Sequence, residues 1–438
     1  MPSLCWFFDM KLIISYNLKA MKKNKNNIYI LILILVSALI LRLILAYHYP
    51  PYPETMKDWA QRIVVTGFAR FYGPEVQWPY PPLYLYILWI LGLIIKFFNV
   101  TDPGMKELII ELPPIICDIA ASVLLWKTAS EKLDGKKALI ITALYAFNPA
   151  AIHNSSMWGQ TDSVFTLAAA LMCVFFCEKK YLKAFIAFGA GLMLKQQTLT
   201  FAPLVLIALA AAVMPACTDV RSAHDKSCSV SFRRLAVLIA QGLAVIAVMV
   251  LISLPFGLTD MLKQYLSVQS GMPYVSAGAY NFWMLINRGW CSLETTFIGV
   301  PCGTWGKLAI ITVTALSFLL AFLYRKDEKK YPLLGASLIL PVFCFATGMH
   351  ERYMLSGLLM LALAWVYDTK PAYMIFYTVF TLLQFFNTVF VYHFALIGAG
   401  DLPQAAVEKA LSFGDFAATV CFILYILFKG FRKSKDME

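Results

Sequence analysis

The strongest constraint on this chain is a series of about twelve apolar runs, each roughly 15–25 residues long and nearly free of charge, the length a helix needs to cross a bilayer. They fall at about 28–47, 108–126, 138–153, 162–178, 183–196, 198–214, 234–255, 304–324, 331–348, 350–366, 371–396 and 411–428. In hydrocarbon every backbone N–H and C=O must find an internal partner, so only helices and closed barrels cross. The runs lack the period-two alternation of barrel strands, which leaves helices. Hydrophobic residues make up 60% of the 438 residues and charged ones 14%, with a mean hydropathy of +0.69. A soluble globule is excluded, and the expected fold is all-α and polytopic. The net charge of +12 does not point to nucleic acid, because the basic residues form short clusters after apolar spans, as orientation signals do.

A further apolar stretch, 82–98, decides the topology. If it crossed fully, Lys127, Lys132, Lys136 and Lys137 would lie outside with every later basic cluster, against the positive-inside bias. Read as a re-entrant or juxtamembrane helix, it keeps those lysines inside together with Lys179, Lys180, Lys183, Arg325, Lys326, Lys429 and Arg432. Both termini are then cytoplasmic, and two long loops, 48–107 and 256–303, face outside. Residues 1–27 read as a cytoplasmic leader in which Met21, before Lys22 and Lys23, resembles a start. Residues 28–366 form the main transmembrane module, and 367–438 the last helices and a cytoplasmic tail. The one notable inside linker, 218–234, reads as a flexible connector. No repeat relates the two halves, which weakens a carrier built from repeated units. The ten cysteines show no Cys-x-x-Cys spacing, and only Cys291 and Cys302, both in the second outside loop, are placed to form a disulfide.

Polar residues at the outer ends of apolar runs are the candidates for chemistry, because they are costly there unless a cavity or ligand receives them. The first loop should form a short helix from Pro53 to about Thr66, with Glu54, Asp58, Gln61 and Arg62 on one face and Trp59 and Ile63 on the other. A carboxylate facing such a cavity suits a general base. The structural alternative is that Glu54 stabilises the helix start and Asp58 pairs with Arg62 or Lys57. Downstream, Tyr80-Pro81-Pro82-Leu83-Tyr84 forms a rigid aromatic wall. Trp158-Gly159-Gln160-Thr161-Asp162 closes one span and opens the next, with Asp162 placed as a helix cap. Lys195, before Gln196 and Gln197, either snorkels or meets a phosphate. Met349-His350-Glu351-Arg352-Tyr353 occupies a turn too short to be a free loop, and its guanidinium suits a surface phosphate. Asp118 lies within a span, and Arg42 is its natural ionic partner.

In order and spacing these stretches, with Leu112-Pro113-Pro114, resemble the GT-C superfamily of polytopic glycosyltransferases, in particular bacterial mannosyltransferases related to the second mannosyltransferase of GPI-anchor assembly. The resemblance covers about 28–366. It implies an inverting transfer of one sugar, a mannose-like hexose, from a polyprenyl-phosphate donor to a glycan, lipid or protein acceptor at the exoplasmic face of a bacterial plasma membrane. A carboxylate of the first outside loop would be the base, which here assigns Glu54 or Asp58. Arg352, His350 and Lys195 would hold the donor phosphate, and Trp158, Gln160, Asp162, Glu351, Tyr353 and Tyr80 would shape the sugar or acceptor pocket. No cofactor or nucleotide is implied, and a divalent metal is left open. Relatives carry an acid before the loop tryptophan and often another before the Tyr-Pro-Pro; Tyr52 and Pro79 hold those places here. A transporter or lipid-linked sugar flippase is the alternative.

Overall fold

The computed structural model describes residues 25–49, 55–73, 76, 79–213, 232–271, 274–397 and 404–435. Glu54, the leader and most of the 218–234 connector lie outside the described residues. The chain runs from α1 (Lys25–His48) through α2 (Thr55–Thr66), α3 (Pro82–Phe97), α4 (Pro103–Ser130), α5 (Gly135–Ala146), α6 (Pro149–Ser156), α7 (Asp162–Cys177), α8 (Tyr181–Leu194) and α9 (Ala202–Val213). Beyond the connector come α10 (Phe232–Ser253), α11 (Leu258–Gly271), the single turn α12 (Phe282–Leu285), α13 (Cys302–Leu323), α14 (Tyr331–Phe345), α15 (Leu355–Tyr367), α16 (Pro371–Ile397) and α17 (Gln404–Lys435). Among the described residues there are four two-residue strands, β1 (Ser276–Ala277), β2 (Thr296–Phe297), β3 (Val300–Pro301) and β4 (Met349–His350).

Among the described residues seven helical segments are long and apolar enough to cross a membrane, and five shorter ones, α3, α7, α8, α14 and α15, are apolar as well. The protein is a polytopic all-α membrane protein. A helix that is apolar on every side belongs either inside a bundle or against lipid. The first case holds for α14, buried from Tyr331 to Cys344, and for α15, buried from Leu355 to Ala364. The second holds for α10, in which only Leu238 and Ser253 are buried. Close approach within the inner layer needs small residues. A Cβ on Gly357 of α15 would come within 2.6 Å of the Leu340 side chain of α14.

Several expected boundaries shift. The 138–153 run is not one helix. It breaks between α5 and α6, where the Asn148 side chain accepts from the Ala150 and Ala151 amides and Pro149 opens the new helix. Asn148 Nδ2 also donates to the hydroxyls of Tyr377 (2.8 Å) and Thr381 (3.0 Å) on α16, so the break is satisfied by tertiary contacts. The 350–366 run becomes helical only at Leu355, because residues 349–350 pair as a strand instead. Cys291 and Cys302 are both free thiols, although they share one small apolar cluster. In the first loop α2 buries Trp59, Ala60 and Ile63, as its periodicity requires. Among the described residues no ion pair joins Asp58 to either expected partner; Lys57 binds Glu107 at 2.5 Å, and Arg62 donates to the carbonyls of Phe71 and Arg70.

Deep in the bundle, Arg42 of α1 and Asp118 of α4 are fully buried with Nε and Oδ2 3.2 Å apart. The guanidinium also donates to the Ala38 and Ala146 carbonyls, and Ser155 donates to Asp118 at 2.7 Å. The pair thus ties α1, α4, α5 and α6 together. Removing one partner of such a pair strands a charge, at about 3–5 kcal/mol. Arg42→Leu alone should therefore lower the unfolding midpoint in detergent sharply, and Arg42→Leu with Asp118→Leu should regain most of the loss. Strictly additive losses would show that the pair is not coupled.

Candidate functional site

The site assembles from three junctions at one end of the bundle. The first is the α6–α7 turn. Gly159 adopts a left-handed φ of +67°, which a residue with a Cβ resists, and the Gln160 amide donates to the Asn154 carbonyl at 2.8 Å. The helix that follows begins at Asp162, but Asp162 is not its cap. Thr161 holds the cap position without a side-chain cap bond, and its hydroxyl instead donates to Tyr80 Oη at 2.9 Å. The Asp162 carboxylate is thereby released to other partners.

The second junction is the end of α8, where Lys195 turns the chain into a 3-10 helix, Gln196–Phe201. Its ammonium is buried and lies 2.8 Å from Asp162 Oδ1. The rings of Tyr80, Phe165 and Tyr353 lie 5.6, 5.6 and 5.8 Å from it, within cation–π range. This lysine does not snorkel. Burial, the largest single influence, would lower its pKa, but Asp162 together with Tyr80 and Tyr353 outweighs it and raises the pKa.

The third junction is the α14–α15 loop, and the second long loop positions it. Gly348, at φ +74°, donates its amide to the Val275 carbonyl. Next, β1 and β4 pair in parallel, setting Ser276 opposite Met349 and Ala277 opposite His350. Asn281 and Trp283 anchor the same loop to the Phe343 and Phe345 carbonyls. From α16, Gln384 holds the Glu351 carbonyl at 2.9 Å. So fixed, Arg352 Nη1 meets Glu351 Oε1 at 2.5 Å, and its Nε lies 3.5 Å from Asp162 Oδ2. His350 Nδ1 is 3.7 Å from Glu351 Oε2.

Burial pushes the Glu351 carboxyl up, yet the Arg352 charge and the His350 contact outweigh it and hold its pKa near 2. His350 is shifted the other way from a paired histidine: burial and the Arg352 charge lower its pKa despite Glu351. The cluster therefore carries Lys195 and Arg352 as cations against Asp162 and Glu351. Lys195, Asp162 and Glu351 are sealed, whereas the Arg352 side chain is 17% exposed. A guanidinium has five N–H donors. Among the described residues Arg352 makes one hydrogen bond, to Glu351, and its Nε has none. Its spare donors suit an anion arriving from the exposed side.

Of the residues proposed from sequence, Tyr80, Asp162, Lys195, His350, Glu351, Arg352 and Tyr353 thus come together. Trp158 is buried alongside, its ring 5.9 Å from His153 and 5.5 Å from Tyr392. His153 is in turn an electrostatic neighbour of Glu351. Gln160 is buried within its turn. Asp58 is exposed on α2 and, among the described residues, joins no hydrogen bond or ion pair of the cluster. His153, Gln384 and Tyr392 escaped the sequence reading, although an amide and a histidine inside apolar runs are themselves a signal. Among the described residues no three His, Cys, Asp or Glu side chains gather as metal ligands.

Comparison with known proteins adds two findings. The family described as dolichyl-phosphate-mannose-protein mannosyltransferase matches residues 80–224, which carry Tyr80, Asp118, Trp158, Asp162 and Lys195. A Schizosaccharomyces pombe protein, a probable dolichyl pyrophosphate Man9GlcNAc2 alpha-1,3-glucosyltransferase, is 24% identical over 339 residues, covering 70% of this chain and 62% of the relative. The chain thus spans less than two thirds of that relative's length. Taken with a polytopic helical fold and a charged cluster at one end of the bundle, these matches to glycosyltransferases support the chain's resemblance to the GT-C superfamily.

Proposed function

We propose that this protein transfers a single hexose, mannose by preference, from a polyprenyl-phosphate carrier to a glycan, lipid or protein acceptor at the exoplasmic face of a bacterial plasma membrane, with inversion at the anomeric carbon. The observation that carries this reading is the Arg352 guanidinium, held by Glu351 and Asp162 with donors to spare beside the buried Lys195. As the glycosidic bond to phosphate breaks, the leaving oxygen gains charge, and preorganised cations stabilise that charge more in the transition state than in the ground state. Arg352 takes the phosphate directly, Lys195 adds its field, and His350 lines the approach as a neutral donor. Asp162 and Glu351 orient the cations and supply acceptors for sugar hydroxyls. Trp158, Gln160, Tyr80 and Tyr353 form the surrounding wall. The names of the two matched proteins differ in sugar, mannosyl in one and glucosyl in the other, and both refer to dolichyl-linked substrates. The attacking hydroxyl needs a base, for which Glu54 and Asp58 are the acids of the first loop.

Reconstituted in liposomes with radiolabelled polyprenyl-phosphate mannose, the protein should form a glycosidic product. Arg352→Ala should lower turnover by about 100-fold or more, the scale for losing one such charge-stabilising donor. Lys195→Ala should weaken it less, and the variants Glu54→Gln and Asp58→Asn test the loop acids. Movement of labelled lipid without bond formation would instead indicate a flippase.

The pH dependence of stability follows from His350 and Glu351, whose pKa values are both lowered in the folded state. At these two sites the unfolded chain binds more protons, so their contribution to stability rises with pH. It should be fully present above about pH 6.5, decline through His350 protonation below that, and fall again as Glu351 is titrated from 4.5 towards 2. Melting curves of the wild type and of His350→Asn check this: the variant should show a weaker first decline and keep the second.

A further inference from the structure

A carboxylate that neither the loop reading nor the cation cluster uses lies in α4. Glu111 is 1% exposed, and among the described residues neither of its oxygens has a hydrogen-bond partner. One turn earlier Glu107 is also buried, but Lys57 binds it. Among the described residues that cation pairs with Glu107, and no ion pair reaches Glu111. Pro113 and Pro114 follow within the helix, depriving the carbonyls of Ile109 and Ile110 of their helical donors. A second buried group beside Glu111 is also unsatisfied: the Tyr84 hydroxyl, 1% exposed, has no partner either, and the two are electrostatic neighbours.

Two aromatic rings connect Glu111 with the charged cluster in each of two directions. The Tyr84 ring packs on Tyr80 at 5.3 Å, and Tyr80 faces Lys195. On the other side Tyr392, also an electrostatic neighbour of Glu111, packs on Trp158 and on His153 beside Glu351. A buried, unpaired acid is expensive, and one kept next to an unpaired hydroxyl is suited to a hydroxyl-bearing ligand that satisfies both. Tyr84 would donate to an acceptor oxygen, and Glu111 would accept its proton.

We infer that Glu111, aided by Tyr84, binds the acceptor hydroxyl and serves as its general base, in place of the acids that Tyr52 and Pro79 displace from the first loop. The inference rests on the transferase reading above. In the step, the acceptor O–H proton passes to a Glu111 oxygen as the acceptor oxygen bonds to the anomeric carbon. The bond from that carbon to the phosphate oxygen breaks, and its electron pair leaves with the polyprenyl phosphate towards Arg352 and Lys195. Water then takes the proton from Glu111.

The test uses the full chain in liposomes with radiolabelled polyprenyl-phosphate mannose, octyl mannoside as acceptor probe, and polyprenyl phosphate alone as binding probe. Glu111→Gln should lose about 100-fold or more in turnover, the range for a general base. It should also lose the acid limb of the pH–rate profile, while phosphate binding stays within about two-fold and the melting temperature does not fall, since a buried acid without a partner has been replaced by a neutral amide of the same shape. Tyr84→Phe, which deletes only an unpaired hydroxyl, should raise KM for octyl mannoside more than it lowers kcat. Wild-type turnover and an unchanged pH profile in Glu111→Gln, or a Tyr84→Phe protein with wild-type KM, would overturn the assignment while leaving the transferase reading standing. A wild-type protein that binds polyprenyl phosphate and forms no glycosidic bond would instead overturn the transferase reading, and this inference with it.

Discussion

The carboxylate of Asp162 is shared between Lys195 and Arg352, and the site exists only because of that sharing. The two cations belong to chain segments far apart in sequence, and each would be costly to bury beside the other without an intervening acid. Asp162 reaches both because its helix begins without a side-chain cap, Thr161 having turned its hydroxyl to Tyr80. One acid therefore draws the starts of α7 and α15 and the end of α8 into one place. Glu351 supplies the second negative charge, itself held by Gln384 through its carbonyl.

The same rule separates the acids of this bundle into two kinds. Asp118 is fully buried and paired through Oδ2 with Arg42 and Ser155, and its contacts are those of a structural brace between α1, α4 and α6. Glu107 is paired with Lys57 through Oε1. Glu111, one turn away on the same helix, has neither cation nor donor among the described residues. Depth alone does not distinguish a brace from a reactive acid, since all three are buried; the partner does. Around these charges the apolar helices fall into an inner layer of α14 and α15 and a lipid-facing layer that includes α10, so the polar end is carried on a rigid, close-packed interior.

Much of this was legible in the chain itself. The apolar runs required helices, since lipid offers backbone groups no other partner, and the periodicity of α2 placed Trp59 and Ile63 inward. Polar residues at span ends marked Asp162, Lys195 and the His350 to Tyr353 turn, because such residues persist there only at a cost. Local signals decided less at 138–153, where hydropathy is continuous but Asn148 and Pro149 start a new helix once Tyr377 and Thr381 arrive from α16 to hold the break.

What composition and spacing determined by themselves was the class of fold and the residues whose position is energetically anomalous, because both depend on the transfer of single groups between water and lipid. Which anomalous residues meet was decided only by the tertiary structure. Asp162 turned from an expected cap into an ion-pair centre, and residues 349–350 became a strand against β1 rather than the first turn of a helix. Glu107 and Glu111, lying where the first loop gives way to a span, diverged in partner. Pairing energies arise between segments tens to hundreds of residues apart, and no local pattern encodes them.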